Sequence, residues 1–364
     1  MPERRRAGAG QKAGLSRRRL LLTGLAASAL GTTFAGPAAA ALTNQPFRDG
    51  ATLLVAGPVG GRLDQISAHL AGALLPGLPS GTMINRLARG GPDGVAGANE
   101  FAARAAPDGL TALLLPGVAV IDWLAGDSRC HFEANHFVPV LGGLTSRVLL
   151  GRSGVDLTTL TRPLRIAAAR PVGPDLPALL GIDMLGVRPE PVFGLEGVAA
   201  RAALARGEVD AVQVQGADIA ETRLALANIA VPLFSLGMVG ADGRLTADPA
   251  LPDVPHWPAL YEQMRGTPPA GPIYAAWRSA AAAAILDFAL LLPALTPPAM
   301  VSLWRGAAGQ LVADPIWQQS AKIEATRILA GPETMICLGN LASTPPALAD
   351  LRRWLAERLD WRPG

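Results

Sequence analysis

Along most of the chain, short apolar runs alternate with stretches whose apolar residues recur at helical spacing. Residues 52–56 (TLLVA) read as a buried strand, the glycine turn GPVGG follows at 57–61, and a helical pattern starts directly behind it. Residues 97–106 read as a helix with Phe101 facing inward. The turn signal AAPDG, built on Pro107, Asp108 and Gly109, then leads into a strand at 110–115. Further strands are predicted at 138–141 and 147–150, separated by Gly142 and Gly143, and at 164–168. Leu176, Leu179, Leu180 and Met184 have helical spacing, and 198–205 is a second such helix, ended by Gly207. In the strand predicted at 209–214, apolar positions alternate with Asp210 and Gln213. Repeated strand–helix units of this kind predict an α/β protein with mostly parallel sheets covered by helices.

The last third changes character. Residues 250–260 are punctuated by prolines and cannot form one regular element. Residues 280–292 are apolar but interrupted by Asp287, with Pro293 behind them, so they read as a buried strand or helix rather than a membrane span. Thr296 and Thr344 each precede paired prolines and read as N-caps of helices. In the second of these, Leu348, Leu351, Leu355 and Leu359 share one face. There is no internal repeat.

The N-terminus stands apart. Arg4, Arg5, Arg6 and Lys12 precede Ser16-Arg17-Arg18-Arg19-Leu20, then a short apolar stretch, then the small-residue run at 37–41. This is the pattern of a twin-arginine export signal over residues 1–41, cleaved near Ala40. A retained anchor is the alternative, although the apolar run falls short of the ~20 residues a span needs. Residues 1–41 hold seven of the 32 Lys and Arg and one of the 29 Asp and Glu, so 25 basic and 28 acidic residues remain. The net charge moves from +3 to −3 without the leader. The basic balance thus belongs to the leader, and nucleic-acid binding loses its electrostatic support. The remaining length, about 320 residues, predicts two domains. Cys130 and Cys337 could pair in an oxidising compartment or remain two unlinked buried thiols.

Most candidate chemistry fails. The glycine turn continues as Arg62-Leu63-Asp64, without the Lys-Ser/Thr of a P-loop or the three spaced glycines of a dinucleotide fingerprint. No serine lies in a Gly-x-Ser-x-Gly elbow, and four histidines offer no marked triad. Cys130, His131, Glu133 and His136 are residue types that suit zinc, but their spacing matches no known pattern and they lie in a predicted loop. No metal or cofactor is therefore predicted. Arg62 in the glycine turn and Arg170 at the end of a strand could each hold a carboxylate bidentately, or could be solvated surface residues.

The order of turns is distinctive. Pro58-Val59-Gly60-Gly61-Arg62-Leu63-Asp64 follows the first strand, AAPDGLTALL spans 105–114, and His136-Phe137-Val138-Pro139-Val140 comes next. Gly207-Glu208-Val209-Asp210-Ala211 and Leu251-Pro252-Asp253-Val254-Pro255 complete the series. In this order, behind an export signal, the chain resembles the Bug-type extracytoplasmic solute-binding proteins of tripartite tricarboxylate transporters, over about residues 52–359.

The resemblance implies a type II periplasmic-binding-protein (Venus-flytrap) architecture. Residues 45–150 and 236–364 would form one domain, 151–235 the other, with crossing strands as hinge. It also implies a periplasmic, monomeric binder without enzymatic activity or cofactor, which captures a small organic carboxylate and passes it to a membrane permease. The turns that would face the ligand are Val59, Gly60, Gly61, Arg62 and Asp64; Arg170, Gly173, Pro174 and Asp175; and Gln215, Gly216 and Ala217. Asp64 is expected to brace its turn rather than meet an anion. Arg62 and Leu63 depart from the family's glycine and threonine, and Pro116-Gly117-Val118-Ala119 from its serines, so the site is expected to be less polar with a cation added. Two alternatives stay open: an exported sensor feeding a signalling receptor, and an exported hydrolase or metal-dependent enzyme.

Overall fold

The computed structural model describes residues 47–48, 50–240, 242–339 and 343–363; the predicted export signal lies outside the described residues. β1 (Ala51–Ala56) ends at the glycine turn, and α1 (Arg62–Leu74) begins directly behind it. There follow β2 (Ile84–Arg89), α2 (Val95–Arg104), β3 (Thr111–Leu115), α3 (Gly117–Ala125) and β4 (Val138–Thr145). Ser146 alone separates β4 from β5 (Arg147–Arg152). Next come β6 (Leu164–Ala168), α4 (Leu176–Met184), β7 (Pro189–Phe193), α5 (Gly197–Arg206), β8 (Ala211–Gln215), α6 (Asp218–Ala225) and β9 (Ala230–Ser235). The chain continues through a small ribbon, β10 (Met238–Val239) and β11 (Leu245–Thr246), then α7 (Trp257–Arg265), α8 (Pro272–Ile285) and β12 (Leu286–Leu292). It ends with α9 (Pro298–Ala313), α10 (Pro315–Ile323), β13 (Thr326–Ala330), α11 (Gly331–Gly339) and α12 (Pro345–Leu359).

Two large sheets result, ordered β13-β4-β12-β3-β1-β2 and β7-β6-β8-β5-β9. Strands joined through helices are parallel, as in β2-β1-β3 and β7-β6-β8. β12 and β5 each enter a sheet without a crossover helix and run antiparallel to both neighbours. The α/β architecture is the expected one, but its sheets are mixed where the sequence predicts mostly parallel ones.

Four local readings change. Gly142 and Gly143 lie inside β4 rather than between strands, because a Cβ on Gly143 would stand 2.4 Å from the Phe288 ring. Residues 280–292 divide into the end of α8 and the whole of β12, and among the described residues no helix is long and apolar enough to cross a membrane. Thr296 does not cap α9, whose N-cap is Pro297; its hydroxyl donates to the Pro293 carbonyl at 2.7 Å. Asp210 is not a solvent-facing alternate: it is buried just before β8, where Arg162 and Arg165 both bind its carboxylate. The two cysteines are unpaired.

Apolar side chains gather in three clusters. One, around Leu70 and Trp304, covers one face of the first sheet; another, around Leu204 and Val212, covers one face of the second. The third is shared by both sheets and runs through α3, α4, α8 and α12. There Trp257 and Trp277 stack with ring centroids 4.1 Å apart, and Tyr274 lies on both. This shared core sets the ends of β1, β6 and β8 near one another.

Candidate functional site

The glycine turn after β1 is built by its own neighbours. Gly60 adopts φ +73°, a left-handed conformation that suits glycine. Its N–H donates to Asp64 Oδ2 at 2.9 Å, Gly61 N–H donates to the Pro58 carbonyl at 3.1 Å, and Val59 is exposed. Arg86 Nη1 holds Asp64 Oδ1 at 3.0 Å, so Asp64 braces the turn. Both glycine amides are therefore committed, and the donors left at this end are those of the first turn of α1.

Arg62 opens α1, and its guanidinium is met by two acids. Nε and Nη2 reach the two Asp287 oxygens at 3.1 and 2.9 Å, and Nη1 reaches Glu324 Oε2 at 3.4 Å. These bonds, Asp287 foremost, raise its pKa against the opposing effect of burial. Arg170, at the turn after β6, is held in the same way: its two Nη atoms donate to the Asp122 oxygens at 2.8 Å each. Asp122 lies fully buried on α3, and burial pushes its carboxyl pKa up even against this arginine. The pair ties a helix of the first sheet to a turn of the second.

The other turns of the second sheet converge. The Gly173 carbonyl accepts from Leu176 N–H, and the Pro174 carbonyl accepts from Gln213 Nε2 at 2.9 Å. Asp175 accepts from Ala169 N–H at 3.2 Å and from Gln213 Nε2 at 3.4 Å. Part of the residue remains accessible, but its carboxyl group is enclosed, and desolvation pushes its pKa up to about 6 while Arg147 pulls the other way. Gly216 N–H donates to the Ser146 carbonyl at 2.9 Å, and a Cβ there would stand 2.9 Å from Thr145 Oγ1. Gln215 pairs in register with Arg147, and Ala217 is exposed beside it.

Arg147 is the residue that sequence reasoning missed. It opens β5 immediately after the chain passes from the first sheet to the second, and only 9% of it is exposed. Its Nε donates to the Ala284 carbonyl at the end of α8. Among the described residues, no acceptor meets Nη1 or Nη2 and no ion pair involves this guanidinium. Burial lowers its pKa to about 10; Asp175 and Asp287 oppose the shift and Arg62 adds to it. Arg147 thus feels charges of both sheets. In sequence it is one more polar residue at a strand end.

A separate recess of about 530 Å³ lies on the first sheet's side, lined by Arg62, Asp287, Trp317, Ile323 and Ile328 among others. No residue of the second sheet lines it, so it is not the place where the predicted turns meet. In the 130–136 segment, Glu133 accepts from Trp123 Nε1 at 3.1 Å and His131 N–H donates to Asn99. Among the described residues no group of three or more His, Cys, Asp or Glu could hold a metal ion.

No family model and no curated protein matches the sequence. Solved structures do match in three dimensions. A TctC solute-binding protein from Polaromonas superposes with a TM-score of 0.59 at 16% identity, covering 85% of this chain and 97% of that one. MatC from Rhodopseudomonas palustris with bound malate gives 0.51 at 18% identity, covering 84% and 98%. A further R. palustris protein, with adipate, gives 0.50 at 16% identity, covering 86% and 98%. At these identities the likeness speaks for architecture: the chain has the periplasmic-binding-protein fold of these solute-binding structures.

Proposed function

We propose that this protein is an exported, periplasmic solute-binding protein. It holds a small organic carboxylate between its two sheets and delivers it to the membrane permease of a tripartite transporter, with no chemistry of its own. One observation carries the reading: Arg147 is a buried cation at the crossing between the sheets, and both its terminal nitrogens lack a protein acceptor among the described residues. A guanidinium in that state is a bidentate receptor for a carboxylate. The malate and adipate bound by two structures of the same fold agree with that ligand class. The moving bodies would be residues 45–146 with 236–364, and residues 147–235, because β5 already pairs within the second sheet. The amides at the start of α1 and the turns at 173–175 and 215–217 would complete the site around Arg147. Arg62 and Arg170 play no direct part, since acids of the protein occupy both.

A thermal-shift series with malate, succinate, adipate and neutral analogues tests this. A ligand that binds only the folded state raises the melting temperature. The expected result is a shift by at least one carboxylate that Arg147→Gln abolishes and Arg62→Gln retains. Shifts by neutral compounds alone would overturn the reading.

A further inference from the structure

The charges around Arg147 do not suit a ligand carrying only negative charge. Its electrostatic neighbours are Arg62, Asp287 and Asp175. Arg62 is already held by Asp287 and Glu324. Two cations therefore face three carboxylates, and the local sum is not positive. A second carboxylate beside Arg147 would meet Asp175, enclosed on the second sheet's side.

Asp175 and Arg147 attract each other without touching: among the described residues no ion pair joins them, although each is enclosed. Opposite charges buried apart from each other are costly unless a third group satisfies both. A second unmet group stands in the same cluster. Gln213 spends its amide N–H₂ on Pro174 and Asp175, and its Oε1 is buried with no hydrogen-bond partner. Arg147 and Gln213 share one face of the second sheet, because their partners across the ladder are Gln215 and Leu149, alternate positions on the paired strands. The cluster thus offers one cationic donor and, beside it, a carboxylate and an amide oxygen able to accept.

We propose that the ligand is a zwitterion of the α-amino acid type, its carboxylate on the Arg147 guanidinium and its ammonium between Asp175 and Gln213 Oε1. This rests on the carboxylate reading above and narrows it. Bound so, the ligand adds no net charge, gives Arg147 the acceptor it lacks, and gives Gln213 Oε1 a donor. A dicarboxylate can do only the first of these two services, and it leaves Asp175 facing a like charge.

The test compares molecules that differ only in the amine. The full chain is first screened by thermal shift against the common α-amino acids together with malate, succinate and adipate. The best amino acid is then titrated calorimetrically beside its des-amino counterpart, for example L-aspartate beside succinate. The expected result is that the amine-bearing compound binds about tenfold tighter or more, the range of one charged hydrogen bond. Asp175→Asn should remove most of that advantage while the des-amino acid binds as before, and Arg147→Gln should weaken both. Arg147→Lys, which keeps the charge, should retain the amine preference, and ligand-free melting temperatures establish that each variant is folded. Equal or tighter binding of the des-amino acids, or an amine advantage that survives Asp175→Asn, overturns the zwitterion while the carboxylate reading stands. A chain that binds none of these compounds loses both.

Discussion

Replacing Arg170 by alanine tests the pair that spans the two sheets. The change strands the Asp122 carboxylate, whose side chain is 0% exposed while that of Arg170 is 33% exposed. Breaking a buried ion pair from one side costs about 3–5 kcal/mol. Because a third of Arg170 is accessible, water can reach the vacated place, and the lower end, about 3 kcal/mol, is the expected loss. The sign with pH follows from Asp122. Its folded pKa lies above the ordinary 3.8, so the stability tied to its proton is present below 3.8 and lost as pH rises through the higher folded value. Without Arg170 the folded value rises further and the loss grows. The penalty of Arg170→Ala is therefore greatest at neutral pH and shrinks toward acid, where Asp122 is protonated. Urea unfolding followed by tryptophan fluorescence measures it, in a cycle with Asp122→Ala and the double variant. A penalty under about 1 kcal/mol at neutral pH, or one equal at neutral and acid pH, would refute the buried-pair reasoning.

Three further outcomes follow from other parts of the fold. Asp175, with its folded pKa raised to about 6, contributes stability that is full below 3.8 and is lost as pH rises through about 6. Asp175→Asn should flatten that part of the pH–stability curve, which urea midpoints across the interval would record. Gly143→Ala places a methyl 2.4 Å from the Phe288 ring in the middle of a sheet, and should cost about 1–3 kcal/mol by thermal or urea unfolding. Burial pushes the thiols of Cys130 and Cys337 up to about 12 each, so iodoacetamide near pH 8 should modify both slowly in the folded chain and rapidly in urea.

What the sequence discloses is what local chemistry decides. β6 and α4 fall where their apolar spacing predicts, and Gly207 ends α5 in the left-handed conformation that makes glycine a stop signal. The glycine turn and its brace by Asp64 were legible for the same reason, since donor and acceptor stand four residues apart. The misread positions depend on partners far along the chain. Gly143 looks like a linker until Phe288 lies against it, and Asp287 looks like an interruption of an apolar run until Arg62 arrives from 225 residues away. Arg170 has a loop arginine's surroundings in sequence, and only the fold supplies Asp122. Both arginines singled out for standing at turns are thus neutralised by the protein itself. The one left unneutralised begins a strand, where periodicity gives a charged residue no mark.

That arrangement has an energetic consequence. A cation held in the interior without an acid against it destabilises the ligand-free fold, and the depression of the Arg147 pKa from 12.5 to about 10 measures this on the order of 3 kcal/mol. Selection for stability alone would replace such a residue, as buried charges replaced by apolar groups of similar volume often stabilise a protein. Arg147→Met should therefore raise the unfolding free energy of the ligand-free chain. The gain is the relieved burial less about 1 kcal/mol for the Ala284 carbonyl that loses its donor, a net of about 1–2 kcal/mol. The same variant should show no stabilisation by the carboxylate that stabilises the wild type, so the two melting temperatures cross as ligand is added. A variant less stable than the ligand-free wild type would mean that Arg147 serves the fold through its bond to α8. A variant that still responds to ligand would place the carboxylate elsewhere.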